Sequence, residues 1–200
     1  MIPKSALYDN AGFWQKVHDE HDIRFLTFTP PDEVLRLHDL APSNVSVLDI
    51  GVGNGDMSRH LVGLGNSVVC CDICDCALNK CSQDATKVLS ENLKSVGPFD
   101  LAIAHLVFQH LDEADAIALL ESICLSARGL ISVQTLDMSM QAPPDYPLFA
   151  RDDSACVEIF ERSGLHVVSQ VRCASDVAYD GDRAVPWSWT IWRLSGNLGV

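Results

Sequence analysis

Short runs of apolar residues alternate along this chain with segments of mixed polarity. Four of the runs are almost continuously apolar, which indicates strands with both faces buried. These runs are Val45–Ile50, Ser67–Cys71, Phe99–Ala104 and Gly129–Thr135. Strands of this kind belong to a mostly parallel sheet that is covered by helices on both faces.

The segments between the runs carry apolar residues at helical spacing. The predicted helices cover Asp32–Leu40, after Pro30-Pro31, Asp56–Leu64, about 112–127 and about 154–163. Two later runs, Leu165–Cys173 and Trp187–Leu194, have strand composition and only a short polar link between them. They predict an antiparallel pair at the end of the sheet, so the fold class is α/β.

Composition narrows the function classes. The 200 residues include 14 Lys and Arg against 27 Asp and Glu, a net charge of −13. Such an excess repels phosphate backbones and anionic lipids, so we expect neither nucleic acid nor a membrane as partner. The first ten residues lack the apolar core of a signal peptide. We therefore expect a cytoplasmic protein with one domain, and the sequence leaves a homodimer open.

Five of the eight cysteines crowd between Cys70 and Cys81. One pair, Cys71 and Cys74, has the Cys-x-x-Cys spacing of a zinc site, but no second pair follows at a suitable distance. The interpretation we favour is that Cys70 and Cys71 are small apolar residues of a buried strand. We predict no metal site here, nor at His18-x-x-His21.

The first strand runs directly into a loop with three alternating glycines, Gly51, Gly53 and Gly55. Glycines allow left-handed turns and a close approach of a ligand to the backbone. An acid, Asp49, precedes the loop, and a second acid, Asp72, ends the next strand. A carboxylate at that place can accept hydrogen bonds from a ribose diol, although Asp72 as a plain turn residue stays open.

The stretch Val47–Gly55 closely resembles the first motif of class I S-adenosylmethionine-dependent methyltransferases. Further stretches follow in family order: Pro98–Ala104 is similar to the fourth strand, and 105–112 to the segment after it in small-molecule methyltransferases. The resemblance covers about residue 40 to the end. It implies a doubly wound, seven-stranded Rossmann-like sheet over 41–200, and 1–40 as an N-terminal helical lid.

The resemblance also implies which residues bind the cofactor, S-adenosylmethionine. These are Asp49, Gly51, Gly53, Gly55, Asp72 as the ribose acid, and Asp84 as the acid facing the adenine amino group. Only 28 positions separate Asp72 from Asp100, fewer than the family usually has, so the second helix and third strand must be short. Asp84 as the cap of a helix beginning at Ala85 is the alternative.

Transfer of a methyl group to oxygen or nitrogen needs a base near the reacting atom. His105 directly follows the fourth strand, and His110 follows five residues later, so both are candidate catalytic bases. The alternatives are that His105 only lines the pocket and that His110 packs or caps the next helix. We expect His18, His21 and His38 at the surface. The aromatic residues Tyr8, Phe13 and Trp14 could cover the cofactor or only pack against the sheet edge.

The leading hypothesis is a methyltransferase acting on a small molecule, with the oxygen of a sugar or metabolite as acceptor. An amine acceptor also suits an acidic protein. Two other functions stay open. One is a non-catalytic cofactor-binding or regulatory subunit, which needs neither histidine. The other is a short nicotinamide-dependent reductase, against which the glycine spacing and the missing Tyr-x-x-x-Lys pair argue.

Overall fold

A single seven-stranded sheet organises the chain in the computed structural model, which describes residues 10–20, 30–136, 149, 151–180 and 183–196. The strands are β1 (Ser46–Ile50), β2 (Ser67–Asp72), β3 (Thr86–Leu89), β4 (Phe99–Ala104), β5 (Ala127–Leu136), β6 (Leu165–Asp180) and β7 (Arg183–Gly196). Their order in the sheet is β3-β2-β1-β4-β5-β7-β6. The first five pair in parallel, whereas β7 is antiparallel to both β5 and β6. The predicted fold class is confirmed.

Helices cover both faces of this sheet. They are α1 (Asn10–Asp19), α2 (Pro31–Leu37), α3 (Asp56–Gly63), α4 (Asp75–Leu78), α5 (Glu113–Ser126) and α6 (Asp153–Arg162). Within the described ranges, no helix is both long enough and apolar enough to cross a bilayer.

Alternate side chains of the central strands supply two separate cores. On one face, Leu48, Ala102 and Trp192 pack in a buried cluster to which α5 and α6 contribute. On the other face, Val47 and Ile103 pack in a second cluster with residues of α2, α3 and α4. Burial on both faces explains why the strands are nearly continuous apolar runs in the sequence.

The structure corrects two local predictions. No helix begins at Ala85, because Thr86–Leu89 forms the edge strand β3, whose half-polar composition hid it. The polar link expected between the last two strands is itself mostly strand, since β6 extends to Asp180 and β7 begins at Arg183. The short second helix and third strand are confirmed, because α4 and β3 have four residues each.

The strand order reverses between β1 and β4, which are neighbours in the sheet although two strands separate them in the chain. In a doubly wound sheet, the connections on the two sides of such a point leave in opposite directions, and a crevice opens at the carboxyl ends of the strands. The loops after β1 and β4 therefore meet at one place.

Close contact between β4 and β5 depends on Gly129. A Cβ atom at this position would lie 1.8 Å from the carbonyl oxygen of Asp100. We expect Gly129→Ala to push β5 away from β4 and to lower the free energy of unfolding by about 1–3 kcal/mol, measured by urea denaturation.

The matched control is Gly63→Ala in α3, where no atom lies within 4 Å of the new Cβ. It should leave stability unchanged or raise it by up to about 1 kcal/mol. Equal stability of the two variants would contradict this account.

Candidate active site

A cavity of about 750 Å³ lies at the carboxyl edge of the sheet, at the reversal of strand order. The loops that follow β1, β2, β3 and β4 all contribute to its walls, and α1 and α5 close two of its sides. Its volume lies within the range of about 300–1,000 Å³ that is typical of ligand sites.

Gly51 and Gly53 of the glycine loop line this cavity. Gly51, Gly53 and Gly55 all have positive φ values, of 68°, 53° and 73°. A Cβ at Gly51 would lie 2.2 Å from a methyl group of Val107, and one at Gly55 would lie 2.5 Å from the Lys80 carbonyl oxygen. A Cβ at Gly53 would meet no atom within 4 Å. The outer two glycines thus allow close packing, and the middle one leaves open space toward the cavity.

Asp49 is the next-to-last residue of β1 and lines the cavity with a carboxyl group that is almost fully buried. Its Oδ2 atom is buried without a hydrogen-bond partner. Burial, with smaller contributions from Cys81 and Asp72, raises the pKa of Asp49 to about 8. At neutral pH this carboxyl group is therefore mostly protonated, and a cationic group beside it would favour the ionised form.

Asp72 lies at the end of β2, adjacent to β1 in the sheet, and also lines the cavity. Its Oδ1 accepts a hydrogen bond of 3.1 Å from the backbone nitrogen of Cys74. Burial raises the pKa of Asp72, and this hydrogen bond opposes the shift. The contact fixes the carboxyl group at the edge of the crevice.

The structure does not bring Asp84 to this site. Asp84 is exposed, precedes the amino end of β3, and is absent from the cavity wall. Because β3 is parallel to β2, its amino end lies at the opposite edge of the sheet from Asp72. Asp84 therefore lies apart from the other residues predicted to bind the cofactor. Ser90 and Glu91, which directly follow β3, line the cavity instead.

His105 directly follows β4, is half-buried, and is linked to two buried polar side chains, those of His38 and Ser132. Its Nδ1 lies 3.3 Å from Nε2 of His38, and Nδ1 of His38 lies 2.6 Å from Oγ of Ser132. Burial lowers the pKa of His105 to about 3 and that of His38 to about 4, so both rings are neutral at neutral pH. Nε2 of His105 is buried without a hydrogen-bond partner in a residue that lines the cavity.

His110 also lines the cavity but is more constrained by its neighbours. Its Nε2 lies 3.3 Å from the side-chain nitrogen of Gln109, and its ring packs edge-on against Trp14 at 4.9 Å. Since the amide N–H donates, this nitrogen of His110 serves as an acceptor inside the protein. Of the two predicted bases, His105 is the one whose buried Nε2 has no hydrogen-bond partner.

Helix α1 lies along the cavity through Trp14 and His18. Nδ1 of His18 lies 3.0 Å from Nζ of Lys80, the residue whose carbonyl packs under Gly55. His18 is 4% exposed, so the expectation of a surface residue was wrong. Tyr8 and His21 lie outside the described residues. Of the other predicted aromatic residues, Trp14 lines the cavity and Phe13 packs edge-on against Trp14.

His38 is the site residue that the sequence prediction missed. It is 1% exposed, not a surface residue as expected. The available signal was helical spacing, because His38 is three and four residues after Leu35 and Val34, which form the buried face of α2.

Cys70 and Cys71 are buried in β2, as predicted for small apolar residues. Among the described side chains, no three His, Cys, Asp or Glu residues are grouped so as to hold a metal ion.

The cost of burying Asp49 should be measurable in the free protein. In the unfolded chain Asp49 loses its proton near its ordinary pKa of 3.8, whereas in the folded protein it does so near 8. Unfolding therefore releases a proton between these values, and its free energy falls as pH rises from about 4 to 8. We expect Asp49→Asn to remove the contribution of Asp49 to this dependence and to stabilise the protein by at least about 1 kcal/mol at pH 8.

The measurement is the denaturation midpoint of both proteins at pH 5 and pH 8. The gain from Asp49→Asn should be larger at pH 8 than at pH 5, and roughly 2–4 °C for each kcal/mol in a chain of this size. A gain that is larger at pH 5 would mean that Asp49 is ionised in the folded protein at neutral pH.

The part of the chain that forms this cavity is similar in sequence to known methyltransferases. Residues 47–128 match a family model described as a methyltransferase domain. The chain is also 25% identical over 147 residues to the ubiquinone biosynthesis O-methyltransferase of Pelagibacter ubique (strain HTCC1062). This match covers 68% of the chain and 61% of that enzyme, so the chain spans about three fifths of the relative's length.

Solved methyltransferases share the fold at low sequence identity. One is the 1,6-didemethyltoxoflavin-N1-methyltransferase of Burkholderia thailandensis with bound S-adenosylhomocysteine (TM-score 0.66, 16% identity, 92% of this chain and 85% of that one). Another is the magnesium protoporphyrin IX methyltransferase of Synechocystis PCC 6803 with bound S-adenosylhomocysteine (TM-score 0.60, 16% identity, 83% and 81%). The family match, together with the strand order and the glycine loop, indicates that residues 47–128 form a methyltransferase domain.

Proposed function

We propose that this protein binds S-adenosylmethionine and transfers its methyl group to a small-molecule acceptor. The observation that carries the proposal is the presence, in one cavity, of the glycine loop, two carboxyl groups and an unpartnered imidazole nitrogen. The bound cofactor would supply an electrophilic methyl group on a sulfonium. The chain's own residues would bind it, orient the acceptor and receive the proton that the acceptor loses.

Two features support the fit of this cofactor. The space above Gly53 allows a ligand to approach the backbone closely. The unpartnered Oδ2 of Asp49 suits a cationic amino group, whose charge would stabilise the ionised carboxylate. We propose that Asp72 accepts hydrogen bonds from the ribose hydroxyls. Glu91 follows β3 at the correct edge of the sheet, so we propose that it takes the adenine-facing role first assigned to Asp84.

We propose His105 as the general base. His105 lines the cavity and its buried Nε2 has no hydrogen-bond partner, whereas Nε2 of His110 accepts from Gln109. Nε2 of His105 would take the proton from an acceptor hydroxyl as the new carbon–oxygen bond forms. His110 and Trp14 would then shape the wall of the cavity and exclude water.

The acceptor in this proposal is a neutral or cationic small molecule that reacts through oxygen, such as a sugar or another metabolite. The net charge of −13 disfavours anionic polymers. An imidazole base is suited to a hydroxyl acceptor, since that group must lose a proton during transfer. The chain covers 61% of its longer relative, so the acceptor is proposed here from the cavity and not from that relative.

We also propose a cytoplasmic location, because seven of the eight cysteines are free thiols in the described part of the chain.

Cofactor binding can be tested by thermal unfolding with S-adenosylhomocysteine. At about 100 times Kd, a ligand that binds only the folded state adds about 2.7 kcal/mol, or roughly 5–10 °C at this chain length. We expect this shift in the wild type and in Asp84→Ala, and its loss in Asp72→Ala. NAD should give no shift. Loss in Asp84→Ala with retention in Asp72→Ala would reverse the assignment of the two acids.

Catalysis can be tested separately from binding. The assay follows transfer of a labelled methyl group to catechol, glucose and tyramine, which represent phenol, sugar and amine acceptors. We expect His105→Gln to lower kcat by at least about 100-fold, because the base is lost, while the shift with S-adenosylhomocysteine persists. The control is His60→Gln in α3, outside the cavity wall. Wild-type binding without transfer to any acceptor would favour a non-catalytic cofactor-binding subunit.

A further inference from the structure

We propose that His38 is a positioning residue for His105. In this arrangement Nε2 of His38 accepts the Nδ1–H of His105, which leaves the buried Nε2 of His105 as a bare acceptor. The consequence for catalysis rests on the proposed function, but the placement of the hydrogens is a property of the free protein.

The contacts allow two arrangements of the hydrogens. Each neutral imidazole carries one N–H, and the serine hydroxyl can donate or accept. In the first, Ser132 donates to His38, His38 donates to His105, and Nε2 of His105 carries a hydrogen toward the cavity. In the second, His105 donates to His38, His38 donates to Ser132, and Nε2 of His105 is a bare acceptor. The distances of 3.3 and 2.6 Å fit both arrangements.

The unpartnered end of the chain favours the second arrangement. Nε2 of His105 is buried and has no hydrogen-bond partner. A buried N–H without a partner is rarer in proteins than a buried acceptor with a spare lone pair. The free protein therefore keeps the hydrogen of His105 on Nδ1, where His38 receives it.

His38 is held for this role from two adjacent strands. Ser132 on β5 and Arg193 on β7 are paired residues in the sheet. The Ser132 hydroxyl contacts the His38 ring, while Nη2 of Arg193 donates to the backbone carbonyls of His38 at 3.0 Å and Asp39 at 2.8 Å. The same nitrogen of Arg193 lies 2.6 Å from Oδ2 of Asp39. The ring of His38 is thus held by Ser132, and its backbone is held by Arg193, which is paired with Ser132 in the sheet.

Such positioning matters because the burial of His105 makes it a weak base. A partner that accepts the Nδ1–H raises the basicity of the opposite nitrogen and stabilises the cation that forms. As the acceptor hydroxyl loses its proton to Nε2, the electron pair of the broken O–H bond is available for the new bond to the methyl carbon. The positive charge then lies on His105, whose Nδ1–H continues to point at His38.

The test is ¹⁵N NMR of the free protein with labelled histidine, which distinguishes protonated from bare ring nitrogens. Signals of His105 are assigned by their absence in His105→Gln. We expect Nδ1 protonated and Nε2 bare in the wild type. In His38→Phe, which keeps a ring but removes the acceptor, the hydrogen should redistribute toward Nε2. His38→Gln, whose amide oxygen can accept, should restore the wild-type pattern.

Kinetics add a second readout, on whichever of catechol, glucose or tyramine is methylated. His38→Phe should lower kcat by about 10- to 100-fold, with KM changed less than about twofold, and His38→Gln should recover most of this loss. The matched control His60→Phe should change neither value. A wild-type spectrum with the hydrogen on Nε2, or a His38→Phe protein with unchanged tautomer and kcat, would overturn the proposal.

The NMR result separates this inference from the proposed function. If no acceptor is methylated but the tautomer responds to His38 as expected, the positioning contact stands and the methyltransferase proposal fails. If His38→Phe does not fold, Ser132→Ala provides the second variant. It removes the acceptor of the His38 N–H, and should disturb the His105 tautomer less than loss of the His38 ring does. The proposal is contradicted if His105 carries its hydrogen on Nε2 in the wild type, in Ser132→Ala and in His38→Gln alike.

Discussion

The parallel pairing of β1 with β4 is the constraint on which the site depends. Its register places Ile50 opposite Ala104, so the next residues, Gly51 and His105, leave the sheet side by side. Each strand is buried on both faces, which fixes this register because a slip by one residue would exchange the two cores. The glycine loop and the candidate base are therefore positioned by the packing of the sheet, and Val107 packs directly under Gly51.

The same burial sets the charge states at the site. Asp49 and His105 are both withdrawn from water, and both are mostly neutral in the free protein at neutral pH. Among the described residues that line the cavity, three buried polar atoms therefore have no hydrogen-bond partner: Oδ2 of Asp49, Nε2 of His105 and Oε1 of Gln109. Each of these atoms costs stability in the free protein, and that cost is offset when a ligand supplies the missing hydrogen bonds.

Local signals in the sequence were sufficient for the fold class and for half of the site. The apolar runs predicted β1, β2, β4 and β5, and the glycine loop with Asp49 and Asp72 is continuous with two of them. Asp84 was misplaced because β3 is a short edge strand with little apolar signature, and its start decides which residues reach the carboxyl edge. The contact between His38 and Ser132 joins residues 94 positions apart, and no local pattern predicts such a pair.

The electrostatics of the cavity differ from those of the whole protein. The net charge of −13 attracts cations over the surface, but the buried acids contribute little to that field while they are protonated. A cationic ligand beside Asp49 would lower the pKa of its carboxyl group, which would then lose its proton. The negative charge that balances the ligand would therefore form only on binding. A neutral ligand of the same shape would leave the carboxyl protonated. Under the proposed function, the site would therefore discriminate between ligands by charge, and this discrimination would come from the burial of Asp49 and not from the acidic surface.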